Sequence, residues 1–445
     1  MLTAFIRAFR TPDLRKKLLF TLGIIALFRF GSSLPAPGIN EANVAYCTNL
    51  TSTSPLAGTL QIVDLLSGNA LKYMSVFALG IMPYITASII LQLLTVVIPR
   101  LETLKQEGQA GQAKITQYTR YLTIGLAILQ STGYVELARS GTLTPSCSMA
   151  TNPIIPNDSV FRIATMVITM VAGTAVIMWM GELITDRGVG NGMSVMIFTQ
   201  VIAVIPGELL TIFQDRGTFT ELLSILVVFV VVAFVVFMEQ AQRRIPVQYA
   251  KRMVGRRMYG GTSTYIPMKV NQAGVIPVIF ASSLLYLPQL AVSLFGRQTN
   301  PQGWVSWTER YMEIGTTNSL QYMWFYLAAF FILIVAFTFF YVSITFNPDE
   351  VADNMKKYGG FIPGIRPGRP TAEYLGYVLS RLTTPGSIYL GVIALFPLVA
   401  LAAIGVGNDF PFSGVSLLIM VGVGLDTVKQ IESQLQQRNY EGFLR

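Results

Sequence analysis

The chain contains a run of 25 residues without a charge, from Met74 to Ile98. A helix needs about 20 predominantly apolar residues to cross the hydrocarbon core of a bilayer, so this run is long enough. Its apolar character is interrupted by Gly80, Pro83, Tyr84, Thr86, Ser88, Gln92 and Thr95. Such a segment suits a protein interior or a wet cavity better than a lipid-facing surface. Ile81 and Ile85, four residues apart, share one helical face.

The composition extends this conclusion to the whole chain. Of 445 residues, 52% are hydrophobic and 12% are charged, whereas soluble domains carry about 25% charged residues. Several other uncharged runs approach the length of a spanning helix, which predicts a polytopic membrane protein. Histidine is absent, which removes the commonest metal ligand and the usual acid–base group at neutral pH. We therefore predict neither a metal site nor a cofactor.

The hydrophobic runs predict ten spans. The first run follows a basic N-terminus, but no clear small-residue cleavage site follows it and Arg29 lies late in it, so we interpret it as a retained span. The predicted spans are roughly 18–34, 74–98, 118–138, 160–181, 193–213, 220–239, 272–294, 322–346, 384–404 and 410–428.

The distribution of basic residues predicts the orientation. With a cytoplasmic N-terminus, the inner segments carry 24 of the 32 Lys and Arg residues and the outer loops carry 5. Because inner loops are enriched in Lys and Arg, we expect both termini in the cytoplasm. The same bias accounts for most of the net charge of +9.

Two outer loops each contain a cysteine, Cys47 and Cys147. An extracytoplasmic face permits disulfides, so a Cys47–Cys147 bridge is a hypothesis that depends on their distance in space. The first of these loops also contains a short amphipathic segment, 59–72, with apolar residues at Leu60, Ile62, Val63, Leu65 and Leu66. It is too short to span a bilayer. It either folds back between the spans or lies on the lipid headgroups, and the residues alone favour the second.

Two inner loops, 240–271 and 347–383, have features beyond orientation-setting charge; we call them the docking loops. The first contains three basic pairs, Arg243–Arg244, Lys251–Arg252 and Arg256–Arg257. In the second, Arg366 lies between Pro363-Gly364 and Pro367-Gly368. Because proline and glycine favour defined turns, we expect Arg366 to project from a structured tip. The basic residues of both loops could bind an anionic partner. The alternative explanation for these residues is the ordinary enrichment of inner loops in Lys and Arg.

The sequence lacks the motifs of an enzyme. It has no P-loop, no paired intramembrane aspartates and no histidine-based metal motif. The Gly-rich stretch 186–192 lacks the strand–loop–helix context of a nucleotide site and is interpreted as a tight turn. Acidic residues lie at span ends, as Glu182, Glu239 and Asp426 do. That position weakens the hypothesis of a secondary transporter, which needs ionisable groups near mid-membrane. Transporter and membrane scaffold both stay open at this point.

Several long motifs resemble the SecY family of protein-conducting channels, in the order in which that family has them. They cover nearly the whole chain and comprise Ala78–Pro99, Glu107–Tyr121, Gly181–Ser194, Tyr249–Ser283 and Phe346–Gly368. The resemblance implies an all-α polytopic membrane protein that is not an enzyme. Ten transmembrane helices would form two pseudo-symmetric halves of five, 1–213 and 214–445, around an hourglass pore.

The resemblance also implies roles for individual residues. An apolar ring would close the pore at Ile81, Ile85, Met193, Ile197, Ile279 and Ile419. Residues 59–72 would be a plug that blocks the pore from outside. Spans two and seven would form a lateral gate lined by Gln92 and Asn271, with Asn191 near the cytoplasmic mouth. Partners would dock on Lys251, Arg252, Arg256, Arg257 and Arg366.

The implied function is to conduct secretory polypeptides across the cell inner membrane and to release membrane helices through the lateral gate. The implied partners are the small membrane subunits SecE and SecG, the ATPase SecA, the ribosome, signal peptides, translocating polypeptides and lipid. The alternative from a different class is a secondary transporter of a small solute.

Overall fold

The computed structural model describes most of the predicted spans and most of the loops that we expect on the inner side. The residues described are 9, 11–40, 42–44, 67–68, 70–71, 73–139, 155, 159–215, 218–249, 252–254, 257–259, 263–295, 303, 307, 320–404 and 414–441. The N-terminal part contains helices α1 Pro12–Ser33, α2 Met82–Val97, α3 Pro99–Gln106, α4 Gln109–Arg139, α5 Val160–Arg187 and α6 Gly192–Asp215. The C-terminal part contains α7 Thr218–Gln240, α8 Ile276–Phe295, α9 Leu320–Thr345, α10 Pro348–Lys357, α11 Arg369–Ile404 and α12 Gly414–Glu441.

Each of the ten predicted spans overlaps a helix, so the predicted helical fold is confirmed. By length and composition, four apolar segments in the described part are sufficient to cross a membrane: Val160–Arg187, Trp324–Lys357, Arg369–Phe396 and Gly414–Gln436. The pair α2 and α3, bent by 102° at Ile98, makes a fifth if it counts as one span. Shorter apolar helical segments lie in α6, α7 and α8.

The prediction of a second span that begins at residue 74 was wrong about its start. Residues 73–81 form successive turns, and α2 begins at Met82. The backbone explains the difference, because Met74 and Gly80 have φ values of 48° and 56°, which a right-handed helix does not allow. Pro83 then lies in the first turn of α2, where its missing N–H removes no helical hydrogen bond.

This turn segment is fixed between two other helices by close packing. The ring of Phe77 stacks on Phe28 of α1 with centroids 5.7 Å apart, and it occupies the space that a Cβ atom at Gly31 would need. The carbonyl of Val76 likewise occupies the Cβ position of Gly173 on α5. The two glycines therefore let the non-helical segment approach the helix backbones closely.

The ninth span is part of a much longer helix than predicted. Helix α11 runs for 36 residues, from Arg369 to Ile404, whereas the predicted span was 384–404. Its first part therefore belongs to the loop expected at 347–383. The same loop contains α10, whose start is capped by Asn347, since the side chain of Asn347 accepts a hydrogen bond from the N–H of Asp349.

The docking loops meet in one antiparallel sheet, which the sequence analysis did not predict. Strand β1 Gln242–Tyr249 pairs along its length with β4 Ser263–Lys269, and its far end pairs with β5 Gly360–Phe361 of the second loop. A separate hairpin, β2 Arg252–Val254 and β3 Arg257–Tyr259, lies between β1 and β4 in sequence. Ile245 and Val247 of β1 alternate inward and pack with Met355 of α10 and Leu375 of α11.

Candidate functional site

The six residues predicted to form the ring lie in a single hydrophobic cluster. Ile81, Ile197, Ile279 and Ile419 are buried members of it, and Ile85 and Met193 pack against it partly exposed. The exposed fractions of Ile81 and Ile419 are 1% and 0%. The cluster also includes many other residues from both halves of the chain. The structure therefore brings the predicted residues into the same core, and their role in closing a pore stays a prediction.

The turn before α6 determines where Met193 and Ile197 lie. Helix α5 ends at Arg187, and Gly190 has a φ of 90°, which glycine adopts without strain. The carboxamide oxygen of Asn191 accepts a hydrogen bond from the N–H of Met193 at 3.1 Å. Asn191, predicted near the cytoplasmic mouth, is exposed and caps the start of α6. The interpretation of residues 186–192 as a tight turn is confirmed.

The predicted gate helices, α2 and α8, contact each other. Helix α8 also contacts α4. Gln92 on α2 is exposed. Asn271 is buried just before α8 and donates hydrogen bonds to Oε1 of Glu239 at 2.6 Å and to the carbonyl oxygen of Gly274 at 3.2 Å. Among the described residues, the hydrogen bonds of Asn271 thus go to the end of α7 and to its own turn, and none joins it to Gln92.

Part of the predicted docking surface lies on the sheet. Arg243 and Arg244 of β1 are exposed, and the guanidinium of Arg244 lies over the ring of Tyr265 at 4.9 Å from its centroid. This cation–π contact restrains the guanidinium of Arg244, which would otherwise be flexible, at the surface of the sheet. In the hairpin of β2 and β3, the backbone of Arg252 lies opposite that of Tyr259, and the backbone of Arg257 lies opposite that of Val254. Lys251 and Arg256 lie outside the described residues.

The tip around Arg366 is built from two turns. The N–H of Ile365 donates to the carbonyl oxygen of Ile362 at 3.0 Å, across a turn in which Gly364 has a φ of 85°. The carbonyl oxygen of Arg366 then accepts a hydrogen bond from the hydroxyl of Thr371 at 2.9 Å. The side chain of Arg366 is exposed. The predicted structured tip is confirmed, and its role in docking stays a prediction.

The structure also reveals polar contacts that the sequence analysis missed. Arg120 of α4 forms a bidentate ion pair with Glu182 of α5, with nitrogen–oxygen distances of 2.8 and 2.7 Å. Glu182 and Glu239 were recognised in the sequence only as acidic residues at span ends. Neither the partner of Glu182 nor that of Glu239 is near it in sequence, so no local pattern indicated these pairs.

The predicted plug residues Leu60, Ile62, Val63, Leu65 and Leu66 lie outside the described residues, as do Cys47 and Cys147. The end of the plug segment is described at Ser67, Gly68, Ala70 and Leu71. The backbone of Gly68 lies against that of Gln200 on α6, three residues after Ile197 and on the same helical face. The plug role and the disulfide stay predictions.

Comparison with known proteins gives consistent results along the whole chain. The SecY family model matches residues 75–428. The protein translocase subunit SecY of Streptomyces scabiei is 62% identical over 449 residues, covering 100% of both chains. The subunit of the same name from Mycobacterium bovis is 58% identical over 447 residues, also covering 100% of both chains.

Solved structures share the fold at low identity. A structure described as that of a protein conducting channel has a TM-score of 0.64 at 17% identity, covering 94% of this chain and 92% of that chain. Sec61 in the canine ribosome-channel complex has a TM-score of 0.58 at 16% identity, with the same coverage. Because the family model and the curated relatives match along most or all of its length, the chain belongs to the SecY family.

Proposed function

We propose that this chain is the channel subunit of a protein translocase. It conducts unfolded secretory polypeptides across the membrane and releases membrane helices sideways between α2 and α8. The proposal is supported by relatives at 58–62% identity over the full chain, all named protein translocase subunits. Those names support a channel for polypeptides and give no support to a small-solute transporter. The structural observation that carries the proposal is the meeting of the six predicted ring residues in one cluster.

The ring works by excluding water. A narrow passage lined by these six apolar side chains loses its water and blocks ions. Met193, unbranched and with three rotatable bonds, is the ring side chain that adapts most readily to a passing polypeptide. Four ring residues come from the half 1–213 and two, Ile279 and Ile419, from the half 214–445. Because α6 of the first half packs on α12 of the second, a small movement between the halves changes the spacing of the ring residues.

Energy and substrates come from partners on the cytoplasmic side. The exposed arginines of the sheet and the tip receive the ATPase SecA or the ribosome, and the basic pairs of the first docking loop suit ribosomal RNA. One fold neighbour was solved in a ribosome-channel complex. SecE and SecG are the expected small membrane partners. Signal peptides and nascent chains enter at this face and meet lipid between α2 and α8.

The protein is a multi-pass membrane protein, and we place it in the cell inner membrane with both termini in the cytoplasm. The support is the concentration of Lys and Arg in segments that would then be inner. The sheet and the Arg366 tip lie on the cytoplasmic side in this orientation.

Site-specific photocrosslinking tests the proposed function. A photoreactive residue at Ile279, in membranes with SecA and a stalled secretory chain, is expected to crosslink to the mature part of that chain. The matched control is Ile332 of α9, which is 64% exposed and faces away from the cluster. It should crosslink to lipid and not to the stalled chain. If Ile279 gives no crosslink while the stalled chain is engaged at the membrane, the proposed function is wrong.

A further inference from the structure

The ribbon of β1 and β4 joins α7 to α8 through a short non-helical segment, which we call the neck. The neck consists of Ala241 and residues 270–275. The N–H of Val270 donates to the carbonyl oxygen of Ala241 at 3.0 Å, so the two ends of the neck are hydrogen-bonded to each other. The neck is the covalent connection between the ribbon and α8, so the neck must change conformation when the ribbon moves relative to α8.

Glu239, in the last turn of α7, and Asn271 of the neck form a buried polar contact. Only 9% of Glu239 and 4% of Asn271 are exposed. The amide nitrogen of Asn271 contacts both Oε1 of Glu239 at 2.6 Å and the carbonyl oxygen of Gly274 at 3.2 Å. One side chain thus ties the last turn of α7 to the turn that precedes α8. A buried carboxylate that loses its hydrogen-bond donor is costly, so this contact resists separation.

Two further helices pack directly on the neck. A Cβ atom at Gly386 of α11 would lie 2.5 Å from the carbonyl oxygen of Val270, so this helix can approach only through a glycine. Next to the neck, Lys269 at the end of β4 pairs with Asp426 of α12, with Nζ and Oδ1 separated by 3.2 Å. The neck is therefore fixed to α7, α11 and α12 at once.

The same segment leads to two of the predicted ring residues within one helical turn. The N–H of Ile279 donates to the carbonyl oxygen of Val275, the last residue of the neck, at 3.3 Å. The position of a Cβ atom at Gly422 of α12 lies 3.5 Å from the Val275 side chain. Ile419 is three residues before Gly422 and on the same helical face. A displacement of the neck therefore shifts Val275, which is hydrogen-bonded to Ile279 and packs one helical turn from Ile419.

We propose that Glu239 is a positioning residue for the gate helix α8. Its carboxylate holds Asn271 and thereby keeps α8 in the closed position until a partner bound on the sheet, or an entering signal sequence, displaces the neck. This inference rests on the proposed function, because it assigns a role within the same channel. Loss of the contact makes opening easier and reduces the dependence on an intact signal sequence.

The test compares Glu239→Ala with Glu239→Gln in the assembled translocase. Glutamine keeps an acceptor oxygen at the same reach, whereas alanine removes it. SecA-driven transport into vesicles is measured for one secretory protein with an intact signal sequence and for the same protein with a defective one. Glu239→Ala should raise the ratio of defective to intact transport about tenfold, the factor that corresponds to about 1.4 kcal/mol for one lost hydrogen bond. Glu239→Gln should stay near the wild-type ratio.

The partner residue provides an independent check. Asn271→Ala should raise the ratio at least as much as Glu239→Ala does, because it also removes the bond to Gly274, and the double variant should raise it no further than Asn271→Ala alone. The matched control is Glu102→Ala, which removes an exposed carboxylate on α3. If Glu239→Ala does not accumulate, Glu239→Asp replaces it, since the shorter side chain breaks the contact while keeping the charge.

The outcomes separate the two hypotheses. If Glu239→Ala or Glu239→Asp retains wild-type stringency, the positioning role is wrong. The positioning role is also wrong if the alanine and glutamine variants both accumulate poorly and lose transport to the same extent. That result would mean that Glu239 is needed only for folding. Failure of the wild-type complex to transport the intact secretory protein would instead refute the proposed function itself.

Discussion

Arg29, within the first spanning helix, donates a hydrogen bond from Nη1 to the carbonyl oxygen of Gly68 at 3.2 Å. This contact joins α1 to the end of the predicted plug segment. The backbone of Gly68 also lies against Gln200, one turn from Ile197. A charged residue inside a spanning helix is costly and is usually retained for a function. Here the charge anchors a carbonyl group beside a residue of the predicted ring.

Replacing Arg29 tests whether this anchor contributes to a closed channel. Arg29→Met keeps an unbranched apolar stem, shorter than that of arginine, and removes the donors, so the plug segment loses this hydrogen bond to α1. We expect the resting ion conductance of the reconstituted complex in planar bilayers to rise severalfold. Arg29→Lys, which keeps a donor and a charge, is the control and should leak less. A methionine variant as tight as the wild type would refute the role of the anchor.

Deletion of residues 60–70 tests the plug itself. If the segment blocks the pore from outside, its removal opens the resting channel to ions, and single-channel recordings should show frequent openings without SecA. The competing hypothesis, a helix lying on the lipid headgroups, predicts unchanged conductance. Transport of a protein with an intact signal sequence should continue in the deletion variant and serves as the control for assembly.

Substitution of Ile419 tests the ring. Ile419→Asn places a carboxamide in a fully buried apolar position, which costs about 1–3 kcal/mol if its polar atoms find no partner in the closed state. The closed channel is therefore destabilised relative to the open one, and transport of proteins with defective signal sequences should rise about tenfold. Ile419→Val, which keeps the site apolar, should not change it. An asparagine variant that still rejects defective signals would remove Ile419 from the ring.

Charge reversal at Arg366 tests the docking tip. Arg366→Glu should reduce SecA-driven transport by at least about tenfold, since a repulsive charge replaces a cation at a proposed contact. Thermal unfolding of the purified complex should be unchanged, because the side chain is exposed. Arg381→Glu, an exposed arginine that stacks on Tyr377 of α11, is the comparison on the same side of the membrane. Equal transport by the two variants and the wild type would contradict the docking role.

The sequence predicted the spans well because each depends on a local property. A run without charges such as 74–98 identifies a membrane segment regardless of what it packs against. The start of that span was misplaced because the turns at 73–81 depend on packing of Phe77 against α1 and α5. Apolar composition does not distinguish a buried non-helical segment from a helix.

Contacts between distant residues could not be predicted in the same way. The spacing of Ile81 and Ile85 indicated that they share one helical face. Only the family resemblance indicated that this face contributes to a ring with residues of other helices. The pairing of Gln248 with Phe361 involves a strand of two residues, too short to leave an alternating pattern. The contact between Glu239 and Asn271 crosses the whole first docking loop, and neither residue type in isolation indicates a buried pair.

The third strand of the sheet, β5, becomes available late in the synthesis of the chain. Strands β1 and β4 are made before α8 and α9, whereas β5 becomes available only when Phe361 has been added. Until then the far end of β1, at Gln248 and Tyr249, has an open hydrogen-bonding edge. A half-made chain therefore lacks both the finished sheet and the Arg366 tip, so a channel that is still being synthesised does not yet present the proposed docking surface.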